Sequence, residues 1–146
     1  MILLTTKVLV QTLLDTIQDN EADFTLTFRG LCDAALRPEL EGSLRHLFKD
    51  AGAYDKWGTN WRVRLSREAK APVEHVELMH QSNPAVIPRN HRIELAIEAS
   101  LDQEDYGPFE KLLEVLSNPY EKLGGFREYM LSPKPEEHVL KTFCGT

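Results

Sequence analysis

The chain has 146 residues, 42% hydrophobic and 27% charged, enough for one ordinary globular core and short for two domains. A formal net charge of −6 argues against a general polyanion binder, because nucleic-acid affinity is mostly phosphate neutralisation by a basic face. Two cysteines, Cys32 and Cys144, are too few for a disulfide framework, and no apolar run is long enough to cross a membrane, so a reducing, cytoplasmic setting is expected.

Met1 to Val10 is apolar for a beginning and reads as the interior of a helix whose start lies upstream. Val10, Leu13, Leu14 and Ile17 keep helical spacing until Asp19–Asp23 breaks the helix and supplies the next cap. A second helix is expected over Asp23–Leu36, burying Phe24, Phe28, Leu31, Cys32 and Ala35, with Cys32 acting as a small hydrophobe. After Pro38 a third carries Leu40, Leu44, Leu47 and Phe48 and ends at Gly52. A fourth sets Trp57, Trp61 and Leu65 four residues apart among Arg62, Arg64 and Arg67. Such aromatics beside arginines can stack bases, yet on an acidic chain they read better as core. Ala71 and Pro72 mark a turn into a short helix with Val73, Val76 and Met79 or His80.

The stretch NPAVIPRNHRIELAIEA, Asn83 to Ala99, organises the second half of the chain. Asn83 suits a helix cap and Pro84 its first turn, while Pro88 pushes Ile87 out of the α region, so a broken start should precede a helix from Pro88 or Arg89. There Ile93, Ala96, Ile97 and Leu101 form an apolar stripe expected to be buried. Arg89 and Arg92 fall in the first turn, where the helix dipole is already positive. An anionic partner is therefore expected, first a carboxylate of a neighbouring helix or the chain's own C-terminus and second a phosphate ligand, with Arg89 and Asn90 also hydrogen-bonded to other helices or to the tail. Phe109, Leu112, Leu113 and Leu116 make the next stripe, between Asp105 and Asn118–Pro119. From Ser132 an extended tail is expected. The fold class is thus all-α, a compact bundle of six or seven short helices over 1–131 with an extended tail, 132–146, carrying Cys144.

Together with DYGPFEKLLEVLSNPYE (Asp105–Glu121), the terminal TFCGT (Thr142–Thr146), ADFTLTFRGL (Ala22–Leu31) and YDKWGTNWRVRL (Tyr54–Leu65), the Asn83–Ala99 run resembles the C-terminal region of the selenoprotein O family, kinase-like protein adenylyltransferases. The resemblance implies a longer protein whose upstream kinase-like part binds ATP and magnesium or manganese and transfers AMP to protein hydroxyls. It makes that upstream part and the enzyme's protein substrates the partners, and it implies a redox role for Cys144, a position held by selenocysteine in some members and cysteine in others. Cys144 here matches the cysteine-containing, bacterial-type form.

Kinase-type phosphate chemistry needs a glycine-rich loop, a lysine and metal-holding carboxylates or amides. None is found: Gly124 and Gly125 are an isolated pair, and His91–Arg92 is followed by Ile93 rather than aspartate. His75 and His80 are five residues apart, which is not the HExxH spacing of a zinc helix. No catalytic, cofactor-binding or metal-binding residue is assigned. The candidates are Cys144 for redox chemistry and Asn83, Arg89, Asn90 and Arg92 as an anion-pairing or structural motif. The chain is open to three readings: the helical C-terminal region of an adenylyltransferase, inactive alone; a non-enzymatic helical interaction module; or a free-standing thiol protein built on Cys144. A polar-capped start to the first helix favours the second, an uncovered apolar face the first.

Overall fold

The computed structural model describes residues 5–68, 71–121 and 124–140. Among them the α-helices are α1 (Thr6–Asp19), α2 (Phe24–Leu36), α3 (Glu41–Arg45), α4 (Ala51–Leu65), α5 (Pro72–Ser82), α6 (Asn90–Asp102), α7 (Gly107–Ser117) and α8 (Arg127–Met130), with 3-10 turns at Pro38–Leu40 and Pro135–Glu137 and no strand. The all-α class is as expected. The count is eight helices rather than six or seven, because α3 and α8 are too short to show a period. Where one domain was expected over 1–131, contacts divide the chain into two compact units, Met1–Asn83 and Pro84–Thr146.

In the first unit α1 begins inside the apolar stretch: the Thr5 side chain accepts a hydrogen bond from the Val8 N–H at 3.4 Å. The buried face is Leu9, Leu13 and Ile17: Leu13 and Ile17 are buried as expected and Leu14 is half-buried, while Leu9 takes the inward place expected of Val10, which is exposed. Asp23 caps α2 through the Leu26 N–H at 2.8 Å. That helix buries Leu31, Cys32 and Ala34, whereas Phe24 lies outside against Phe28. Gly52 does not end the third helix. It sits in the first turn of α4, where the Asp50 carboxylate accepts its N–H at 2.8 Å, so the aspartate decides that boundary. α4 packs on α1 through Tyr54, Trp57 and Trp61. Trp57 donates its indole N–H to the Leu9 carbonyl at 2.9 Å, and both tryptophans are buried and stacked, leaving no ring face for a base. α5 packs on α2.

Asn83 closes α5 instead of opening the next helix, its Nδ2 donating to the Met79 carbonyl at 2.8 Å. The physical reason is the adjoining Pro84, which holds Asn83 in the extended region (φ −125°, ψ 107°) while Pro88 keeps the chain non-helical up to Arg89.

In the second unit the backbone N–H groups of Ala85 and Val86 both reach the Pro119 carbonyl, at 2.7 and 3.2 Å. The core gathers Ala85, Val86, Leu112, Val115 and Tyr129. Asp105 accepts the Gly107 N–H at 2.9 Å and starts α7. The expected burial of the α6 stripe is only partly seen: Ala96 is buried, Ile93 half-buried, and Ile97 and Leu101 are exposed. On α7, Leu112 and Val115 face inward while Phe109 and Leu113 face out. The small Ala96 lies on the row where α6 meets α7, and the outer apolar row of each helix is left uncovered. The expected extended tail contains a helical turn at Pro135–Glu137, where the Lys134 N–H donates to Glu137 at 2.8 Å. Cys144 lies outside the described residues.

Candidate functional site

Two of the four motif residues act on one target. Arg89, 8% exposed at the N-cap of α6, donates from Nη2 to the Met130 carbonyl at 3.0 Å. Arg92, one turn on, donates to the Glu128 carbonyl at 3.1 Å and comes within 4.0 Å of the Glu128 carboxylate. Its guanidinium also lies 5.2 Å over the Tyr129 ring. The cations that oppose the dipole of α6 thus meet carbonyls of α8, which point electronegative oxygens at them. Asn90 is exposed, and no hydrogen bond of its side chain is seen among the described residues. Asn83 belongs to the first unit, where its carbonyl accepts from Arg29 at 2.9 Å and its Nδ2 lies 3.9 Å from Cys32 Sγ.

Three residues that the sequence pattern did not single out complete these arrangements. Arg29, nine-tenths buried, also donates to the His80 carbonyl and ties α2 to the end of α5. Its signal was a lone cation three residues before the buried Cys32, on the same helical face. His91 is 5% exposed and borders a cavity of about 320 Å³ with Glu94, Glu98, Glu137 and His138. Burial holds its imidazole below the usual range, helped by the nearby Arg92 and Arg89 charges and opposed by Glu137. Glu137 in turn sits below the usual carboxylate range because the Lys134 N–H bonds to its carboxylate. Tyr129 lies under Arg92 and makes an edge contact with Phe126, which Lys111 caps at 4.2 Å.

This arrangement binds α8 to the start of α6. Its arginines are engaged by carbonyls and Glu128, and Arg92 also lines a cavity of about 620 Å³ with Lys111 and Tyr129. Among the described residues no group of three or more His, Cys, Asp or Glu could hold a metal ion. Cys32 is fully buried, donates to the Phe28 carbonyl at 3.2 Å, and has its thiol pushed up by burial, all of which fits a packing role.

A family described as "Protein adenylyltransferase SelO" matches residues 3–117. Relatives named "Protein nucleotidyltransferase YdiU" include one from Rhodopseudomonas palustris CGA009, 47% identical over 138 residues, and one from Rhizobium johnstonii, 51% identical over the same length. A third, from Bradyrhizobium sp. ORS 278, is 47% identical. In each case the match takes in 94% of this chain and 28% of the relative, so the chain spans little more than a quarter of the length of these proteins.

Proposed function

This chain belongs to the SelO family of protein adenylyltransferases, and we propose that it is the helical C-terminal region of such an enzyme, supporting an upstream kinase-like part and inactive without it. The observation that carries this reading is the match of nearly the whole chain to 28% of each relative, so that the greater part of those proteins has no counterpart here. ATP and magnesium or manganese belong, in this reading, to the upstream part. The partners are that upstream part and the protein hydroxyls it modifies with AMP. The setting is the cytoplasm, and among the described residues no helix is long and apolar enough to cross a membrane. To Cys144 we assign a redox role.

The start of α1 favours two readings at once. Its Thr5 cap is what a self-standing interaction module would show, while the exposed Val8 and Val10 are the uncovered apolar face expected where another part packs. The family match supports the second. The test is incubation of this chain with magnesium and ATP labelled on the α-phosphate, with and without added protein. No label on protein is expected; robust transfer would place an active site in this chain and overturn the proposal.

A further inference from the structure

Between α6 and α7 runs an apolar groove of about 520 Å³, floored by Ala96, Leu112 and Leu116. Its walls are uncovered: Ile97 is 45% exposed, Leu101 77%, Phe109 48%, and the adjoining Leu113 54%. Single exposed hydrophobics are ordinary, but three large ones lining one concavity, with a fourth beside it, mark an interaction surface. The two parallel rows of apolar side chains have the form of a groove that accepts a helix. The surroundings are acidic. Residues 90–117 carry seven acids against two bases. At about 100° per residue, Glu94 and Glu110 lie just beyond Leu101 and Leu113, outside the apolar rows.

We propose that this groove is the docking site for an amphipathic helix with lysine or arginine beside its apolar stripe, supplied by the upstream part of the longer protein. The inference rests on the functional reading proposed for the chain. Two considerations select this occupant: most of the length of the relatives lies outside the matched region, and Glu94 and Glu110, beside the apolar rows by helical spacing, complement a basic amphipathic helix. A second copy of this chain would offer no basic partner from its own groove to Glu94 and Glu110, which disfavours self-association through this face.

The test replaces the matched segment of the Rhizobium johnstonii relative with this chain and compares hydrogen exchange over 93–101 and 109–116 in the chimera and in the chain alone. The proposal expects exchange there to slow by roughly tenfold or more in the chimera, and Leu101→Asp with Phe109→Asp, both at exposed positions, to restore the fast rate. Equal exchange in both proteins, with AMP transfer by the chimera intact, overturns the docking site and leaves the functional reading standing. Slowed exchange without transfer supports the docking site and sinks the functional reading. Protection in the chain alone that grows with its concentration would make a second copy the occupant and overturn the proposal.

Discussion

Replacing Arg89 with methionine tests the link between α6 and α8. The guanidinium is nearly buried and its Nη2 bonds the Met130 carbonyl at 3.0 Å. A hydrogen bond to a charged group contributes about 1.5–3 kcal/mol, and its loss leaves that carbonyl without this donor. Methionine keeps much of the packing volume, so the expected cost is about 2–3 kcal/mol. Because the chain has two units, a single global unfolding curve would mix them. Native-state hydrogen exchange separates them: the Tyr129 and Met130 amides should open roughly 30- to 150-fold more often, while α1 amides stay unchanged. Arg92→Met should cost less, about 0.5–1 kcal/mol, since its Glu128 partner is solvent-exposed and its contact with Tyr129 is a modest cation–π interaction. Unchanged exchange at Tyr129 in a natively folded Arg89→Met protein would refute the clamp.

Other consequences concern titration and packing. Since the folded state holds the His91 imidazole below its usual 6.5, the unfolded chain binds the extra proton first, so the second unit should lose stability as pH falls below about 6.5. His91→Gln should flatten that slope, and an identical slope in the variant would contradict the assignment. Tyr54 is fully buried, donates to Glu41 at 2.8 Å, and has its phenol pushed above the ordinary 10 by burial and then by that carboxylate. Stability of the first unit should therefore fall as pH rises past about 10, and ultraviolet titration should show one tyrosine ionising only on unfolding. Cys32 should resist a thiol reagent in the folded protein and react once denatured; rapid native labelling, located by peptide mapping, would contradict its burial. Trp57→Phe should cost about 1–2 kcal/mol through loss of the indole bond to the Leu9 carbonyl, read from unfolding of the first unit.

Helix positions were largely legible because caps and prolines are local signals: Asp23, Asp105 and Pro88 each govern a boundary close to where the sequence placed it. Where two local signals competed, the structure was needed. Asn83 can open a helix or close one, and its carbonyl bond from Arg29, 54 residues away in sequence, is not a local property. The same holds for burial. Periodicity identified an apolar row on α6 but not what covers it, and only the packing with α7 distinguishes Ala96 from the exposed Leu101. Arg89 and Arg92 stood out by their conflict with the helix dipole, whereas their partners on α8 belong to a four-residue helix with no readable period.

The central claim is that this chain completes an adenylyltransferase whose chemistry lies elsewhere in the polypeptide. Its most direct test measures AMP transfer from α-labelled ATP by three forms of the Rhizobium johnstonii relative: intact, truncated to remove the matched segment, and carrying this chain in its place. Transfer by the intact and substituted proteins, with roughly a tenfold loss or more on truncation, is the expected result. Undiminished transfer by the truncated protein would contradict the claim.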